Sequence, residues 1–364
     1  MIQVTKPFLP PIEEYESYIR QIWSRNWLTN NGPLLIQLEQ QLKEFLNVKY
    51  LSMMTNGTIT LQAILKTLGR KGDIITTPFS YIATTSVILW EGFTPVYVDI
   101  DPDTFNADPD KGEQLINDNT VAILITHCFG VPCDVEKWNA ISKKYNIPVI
   151  YDAAHAFGVK LNGESILIHG YASSLSFHAT KLFHTIEGGA LVTHTAELNH
   201  EINLRRNFGH DGPDRFSSVG INGKNSEMHA AMGLVNLNHI KSILESRKMQ
   251  YEGYLTLLNQ AKSKIQFQKI PTGVTYNYSY FPILLSSEEA LLKLFNDLVK
   301  HDIFPRRYFY PSLNSLSFTS EFHGDTPISK DISSRVLCLP LFHDMTNSEQ
   351  ELISGIILKA LSTE

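Results

Sequence analysis

The chain predicts an α/β protein with a large, mostly parallel sheet domain followed by a smaller C-terminal α+β domain. Three observations lead there. Between residues 50 and 193, short apolar runs alternate with stretches of helical periodicity, which is the pattern of a sheet whose parallel strands are joined by helical crossovers. Near residue 225 this alternation gives way to one long helical pattern. At 364 residues, the chain is also longer than a single core usually supports. The boundary is expected within residues 235–255, dividing the chain into 1–240 and 241–364.

The elements follow in order. Pro10 and Pro11 precede Tyr15, Tyr18, Ile19 and Ile22 at helical spacing. Pro33, suited to a first helical turn, opens a second helix with Leu35, Leu38, Leu42 and Phe45 on one face. The strand-like LSMMT runs into Thr55-Asn56-Gly57-Thr58. After it, Leu61, Ile64, Leu65 and Leu68 form a third stripe, with Gly69 as its stop. Buried strands are then expected at DIITT from Asp73, PVYVD to Asp99, AILIT to Thr126, PVIYD to Asp152, SSLSF to Phe177 and GALVT to Thr193. Helices over 80–90 and 135–145 separate several of them. From Glu227, the residues Met228, Ala231, Met232 and Val235 share a helical face. Beyond Tyr251 we expect two or three strands and two helices, each announced by a capping box. Ser286-x-x-Glu289 precedes Leu291, Leu294, Phe295 and Leu298, and Thr346-x-x-Glu349 precedes Ile353, Ile356 and Ile357.

Composition narrows the function classes. Charged residues are 19% and hydrophobic ones 43%, ordinary values for a soluble globular chain. A net charge of −6 with scattered basic residues gives no reason to expect nucleic acid. No apolar run reaches 18 residues, so no membrane span is expected, and MIQVTKPFLPP does not read as a signal peptide. Cys128, Cys133 and Cys338 form no paired framework and no second ligand pair follows, so burial is expected and metal is not. The expected compartment is the cytoplasm.

Two residues suggest chemistry. Lys181, in SFHATKL, stands between a small polar turn and the Gly-Gly start of a strand, where it can be kept from water and form a Schiff base with a carbonyl. Asp152 is the first charge after Val149, Ile150 and Tyr151, at the tip of another strand. An acid and a lysine so placed, about thirty residues apart, suit a pyridoxal phosphate enzyme: the lysine holds the aldehyde and the acid keeps the ring nitrogen protonated. At ~3 Å and an effective dielectric of ~20, that pairing is worth about 5 kcal/mol. The plainer reading of Asp152 is an acid capping a loop. Thr55-Asn56-Gly57-Thr58 is either an ordinary N-cap or an anion site. In the second case Gly57 lets the backbone approach a phosphate, Thr58 adds a hydroxyl and the helix N-terminus supplies free N–H groups.

Taken together, TKPFLPP, WLTNNGP, TNGTITLQ, TTPFSYIATT, VDIDPDTFN, THCFGVPCD, YDAAHAFG, SFHATK, EGGALVT, GINGKNSEMHAAMG, RRYFYPSL and LCLPLFHDMT resemble, in order and spacing, the DegT/DnrJ/EryC1/StrS family of nucleotide-sugar aminotransferases. These are fold type I, aspartate-aminotransferase-like enzymes using pyridoxal 5'-phosphate, which cycles to pyridoxamine phosphate. The resemblance spans almost the whole chain. It implies that Gly57, Thr58 and Ser176 hold the phosphate, with Asn222 reaching it from the neighbouring subunit of a homodimer with shared active sites. Lys224 stands where relatives often carry arginine, and its role stays open. Tyr81 matches the aromatic stacked on the pyridine face, though it also reads as a core aromatic. His155 matches the position, often glutamine in relatives, that hydrogen-bonds the ring hydroxyl, and also reads as a packed histidine.

Lys181 would link to the cofactor at rest and move the proton during transfer. Relatives with histidine at this position catalyse dehydration, so lysine favours transamination. The implied amino donor is L-glutamate and the acceptor a nucleotide-linked keto sugar. Candidates to hold the substrates are Trp27, Thr29 and Asn30, and Arg306, Arg307 and Tyr308. The two arginines serve equally as solvated ion-pair residues. TKPFLPP, WLTNNGP and RRYFYPSL look most like the branch that aminates carbon 4 of dTDP-4-keto-6-deoxyglucose. The alternatives are amination at carbon 3, a non-catalytic regulatory relative, and an α/β binding protein or glycosyltransferase in which Lys181 is incidental. The last is weakened by the lack of a G-x-G-x-x-G fingerprint.

Overall fold

A computed structural model describes residues 1–322 and 324–362. Seven strands form the main sheet: β1 (Tyr50–Met54), β2 (Asp73–Thr76), β3 (Thr94–Tyr97), β4 (Thr120–Thr126), β5 (Val149–Asp152), β6 (Ala172–Ser176) and β7 (Gly189–Thr193). Their spatial order is β1-β7-β6-β5-β4-β2-β3. The run from β6 to β3 is parallel, and β7 is antiparallel to both of its neighbours. The expected large, mostly parallel sheet is therefore present.

Alternation along the strands explains why both faces of the sheet are covered. In β4, Ile123 and Ile125 join the core containing Leu35, Leu38 and Leu42, while Ala122 and Leu124 join the opposite core with Ile64 and Ile88. The helix Pro33–Leu46 contributes Leu34, Leu35, Leu38, Leu42 and Leu46 to burial. Its N-terminus is held from afar: the buried Glu227 carboxylate accepts from the Leu34 and Leu35 amides, both at 2.9 Å. Glu227 also donates its own amide to the Leu28 carbonyl at 2.9 Å.

The helix Glu227–Leu257 runs unbroken through residue 240. Around it, one core gathers Tyr254, Phe281, Leu291, Leu294, Leu337, Ile353 and Ile357. That cluster supports a division into 1–240 and 241–364, which we propose as two domains joined along a continuous helix. In the C-terminal part, Gln266–Phe267, Phe281–Leu284 and Val336–Leu339 make a three-stranded antiparallel sheet. The N-terminal Ile2–Gln3 pairs in parallel with Ile303–Phe304.

Several expected details differ. The third helix is Gly57–Leu65 and stops before Gly69, leaving Leu68 on the turn that follows. The first C-terminal capping box is out of phase by one: Ser287, not Ser286, caps the helix Glu288–Val299 through the Ala290 amide at 3.1 Å. The second stands, with the Thr346 amide to Glu349 at 2.8 Å and the Glu349 amide back to Thr346 Oγ1 at 3.2 Å. The region beyond Tyr251 has three helices rather than two among the described residues. The extra one, Pro327–Arg335, has a thin apolar face, and Asp99 accepts from its Ile328 and Ser329 amides at 3.1 and 2.8 Å. Among the described residues the same region carries five short strands rather than two or three.

Candidate active site

Strand register assembles the site. Thr126, Asp152 and Ser174 are neighbours at the C-terminal ends of β4, β5 and β6. At this edge of an open α/β sheet, ligand crevices form. A cavity of about 470 Å³ opens here, lined by Gly57, Thr58, Tyr81, Asp152, His155, Ser176, Lys181, Arg306 and Tyr308, with contributions from Ser80, Thr126, Glu187, Tyr280 and Phe309.

Asp152 lies at the cavity floor. Its Oδ2 accepts from Thr84 Oγ1 at 2.8 Å and its Oδ1 from the Ala154 amide at 3.1 Å. Ser80 links Thr84 to Thr126, at 2.8 Å to each, so the carboxylate is backed by buried hydroxyls. Burial pushes the Asp152 carboxyl up from its ordinary value, opposed by those two hydrogen bonds and by Lys181. Lys181 follows β6 on its turn and extends its amine into the same cavity. Burial brings its pKa down to about 8, opposed by Asp152, Tyr308 and Tyr81. Its Nζ donates to the Tyr280 hydroxyl at 3.2 Å.

His155 accepts the Phe129 amide on Nδ1 at 3.2 Å, which assigns the ring proton to Nε2. Burial and the neighbouring Lys181 hold its pKa well below the usual histidine range, so it is neutral. The imidazole packs beside Phe129 and Phe309, nearly parallel to both, with interplanar angles of 7° and 1° and centroids 6.1 and 5.8 Å away. It therefore offers a fixed N–H donor.

At the other end of the cavity the helix Gly57–Leu65 begins. Asn56 caps it, accepting the Ile59 amide at 2.9 Å, which leaves the Gly57 and Thr58 amides of the first turn without helical partners where both residues line the cavity beside Ser176. The approach is close. A Cβ on Gly189 would stand 2.7 Å from the Gly57 nitrogen, and one on Gly57 would stand 3.1 Å from Ser176 Cβ. The second glycine of the EGGALVT segment thus allows β7 to pass directly under the helix start.

The remaining sequence candidates are dispersed. Arg306 lines the cavity with its guanidinium 5.7 Å from the Tyr308 ring. Arg307 does not line it. It pairs with Glu288 at 2.6 Å, donates to the Ser334 carbonyl at 2.8 Å and lies 3.4 Å over the Tyr310 ring, so of the two readings offered for it the ion pair is the one seen in this chain. Trp27, Thr29 and Asn30 sit on the exposed loop before Pro33, with Trp27 Nε1 donating to the Thr29 carbonyl at 2.5 Å, and none of the three lines the cavity. Asn222 bridges to Asn207 on a separate loop, also outside the cavity's lining. Lys224 lies over the Phe208 ring at 4.8 Å.

Sequence reading passed over Ser80, Thr84, Thr126 and Tyr280. The hydroxyls of Ser80 and Thr84, four residues apart in FSYIATT, were a usable signal. Nothing in YNYSYF marked Tyr280. Among the described residues no group of three or more His, Cys, Asp or Glu side chains could hold a metal, and no helix is long and apolar enough to cross a membrane.

The donor set fits pyridoxal phosphate. Asp152 is a buried carboxylate with room in front of it, Lys181 is an amine whose pKa burial has lowered, His155 is a neutral donor, and a glycine-flanked helix start suits a dianion. Fold and site together define a pyridoxal-phosphate-dependent aminotransferase. The comparison with known proteins agrees: residues 11–357 match the DegT/DnrJ/EryC1/StrS aminotransferase family, and the chain belongs to it. It is 43% identical over 361 residues, 98% of each chain, to a dTDP-4-amino-4,6-dideoxy-D-glucose transaminase of Shigella dysenteriae. An Escherichia coli protein of the same name is 38% identical, again over 98% of both chains. The crystal structure of DesI in the presence of its TDP-sugar product superposes with a TM-score of 0.94 at 27% identity, covering 100% of this chain and 93% of that one. Helicobacter pylori PseC shares the fold, with a TM-score of 0.93 over the full length of both chains at 24% identity.

Proposed function

We propose that this enzyme transfers the amino group of L-glutamate to carbon 4 of dTDP-4-keto-6-deoxy-D-glucose, giving dTDP-4-amino-4,6-dideoxy-D-glucose, in the cytoplasm. The observation that supports transamination is the convergence of Asp152, Lys181 and the Gly57 helix start on one cavity. The sugar is inferred from the 43% and 38% identical relatives, whose names state that product. When bound, the cofactor supplies an aldehyde that condenses with amines and a ring that delocalises the electrons freed by deprotonation.

The chain's own residues do the rest. Gly57, Thr58 and Ser176 would anchor the phosphate, and Asp152, steadied by Thr84 and the Ala154 amide, would hold the proton on the ring nitrogen. His155 would donate from Nε2 to the ring hydroxyl, and the exposed Tyr81 would lie against the ring. Lys181, with its pKa near 8, takes and returns the proton at Nζ near neutral pH. Arg306 and Tyr308 face the substrates at the mouth. The loop bearing Trp27, Thr29 and Asn30, and Asn222 with its neighbour Lys224, lie outside the cavity of their own subunit. We propose that they complete the site of the second subunit in a homodimer.

Incubation with glutamate and dTDP-4-keto-6-deoxy-D-glucose, and separately with the 3-keto isomer, followed by NMR of the product, tests the regiochemistry. Amine at carbon 4 is expected, and exclusive use of the 3-keto sugar would overturn it. Mixing inactive Lys181→Ala with inactive Asn222→Ala subunits is expected to restore part of the activity, because one site of each heterodimer keeps both residues. Subunit exchange without recovery would remove Asn222 from the partner's site.

A further inference from the structure

We propose that Tyr280 is the positioning residue of the Lys181 amine, its phenol holding Nζ over the cavity in both charge states of the lysine. This rests on the reading of Lys181 as the reacting amine. Among the described residues, the Tyr280 hydroxyl, at 3.2 Å, is the amine's one hydrogen-bond partner. The Tyr280 ring centroid lies 5.7 Å from Nζ, within reach of cation–π attraction. The oxygen can accept from the ammonium and the O–H can donate to the free amine, so the contact survives loss of the lysine proton. Burial pushes the phenol far above its ordinary value, so its own proton stays in place.

Tyr280 is itself held rigidly. Its ring is packed against His155 at 4.8 Å, Phe129 at 5.4 Å and Tyr308 at 5.7 Å. The segment before it is fastened to the loop after β5. Asn277 donates to the His155 and Phe157 carbonyls at 2.8 and 2.9 Å, and Ser279 Oγ donates to the His155 carbonyl at 2.9 Å. From behind, the buried Arg247 of the long helix donates to the Tyr278 and Ser279 carbonyls at 3.0 and 2.6 Å. An arginine buried among backbone carbonyls serves to fix that segment's position. Tyr280 thus ties the reacting amine to the C-terminal part of the molecule, which explains why a residue 99 positions from Lys181 meets it. The charged or titratable groups acting on the amine are Asp152, Tyr308 and Tyr81, and His155, Arg306, His178 and Glu187 line the same cavity.

Removing the phenol oxygen takes away an acceptor of the ammonium form. In cofactor-free protein, trinitrobenzenesulfonate labelling across pH, read at the Lys181 peptide by mass spectrometry, should give a pKa lower in Tyr280→Phe by roughly one unit. In the loaded enzyme, kcat should fall by roughly tenfold with KM for glutamate within about twofold, since the phenol acts through the lysine. Ser279→Ala, which loosens the segment and keeps the phenol, should move both readings the same way by less. On a Lys181→Ala background, Tyr280→Phe should leave cofactor affinity unchanged. A parental labelling pKa and parental kcat in Tyr280→Phe, with Lys181→Ala inactive, would overturn this proposal alone. A further loss of cofactor affinity on the Lys181→Ala background would also overturn it, by assigning the phenol to the cofactor. Full activity of Lys181→Ala would instead overturn the reading of Lys181.

Discussion

The floor of the cavity and its mouth are built on different principles. At the floor, Asp152, Thr84, Ser80, Thr126 and His155 are all buried, and each is held by at least one hydrogen bond from the elements around it. At the mouth, Tyr81 is 60% exposed, His178 and Glu187 face each other at 3.5 Å in solvent, and Arg306 and Tyr308 lie on a loop. A reaction common to a family needs geometry fixed to fractions of an ångström, which only a packed sheet edge provides. Choice of substrate needs surface that can change without disturbing that edge.

The largest break in this comparison should come from the floor. Lys181→Ala is expected to lower turnover with glutamate by roughly a thousandfold or more, while cofactor binding persists through the phosphate and ring contacts. Single-turnover amine transfer and a binding titration measure the two separately. Asp152→Asn should follow with a loss of roughly a hundredfold or more in kcat, because an amide cannot hold the ring nitrogen protonated. Steady-state kinetics at saturating cofactor reads it.

The floor also predicts a pH signature. Lys181 titrates near 8 in the folded apoprotein against 10.5 for an ordinary lysine. Between those values the unfolded chain binds more protons, so this group makes stability rise with pH from about 8 to 10.5. Below that window its buried charge is a standing penalty. Lys181→Met in the apoprotein should therefore be more stable at pH 7 and should lose that rise, as followed by urea denaturation. The smallest effect should come from His155→Gln. It keeps a donor toward the ring hydroxyl, so cofactor affinity should change by only a few-fold, whereas His155→Phe should weaken it by roughly tenfold. Fluorescence titration with pyridoxal phosphate separates them.

What could be read in advance follows the same division. Asp152 was legible as the first charge at the tip of an apolar strand and Lys181 as a lysine between a small polar turn and the Gly-Gly start of the next strand, and the strands themselves were legible from their hydrophobic runs. Thr84 and Tyr280 lie 68 and 99 residues from the groups they serve, and no local spacing encodes such contacts. The helix Pro327–Arg335 escaped for a similar reason: Asp99, more than two hundred residues away, satisfies its first amides, so its own sequence needs only a weak cap and a thin stripe. The Ser286–Glu289 phase error had a local cause, since two adjacent serines could each begin the helix, and packing of Leu291, Leu294 and Leu298 favours Ser287.

Glu227 has a consequence for diversification. Its amide fastens the chain at Leu28 and its carboxylate fastens it again at Leu34 and Leu35. The intervening stretch is an interchangeable cassette, clamped at both ends by one residue of a distant helix. Within it, Asn30 and Asn31 hold φ at 63° and 56°, so exchange there favours residues that tolerate a left-handed backbone. Gly32 is fixed for another reason, because a side chain there would meet the Glu227 carboxylate at 2.4 Å.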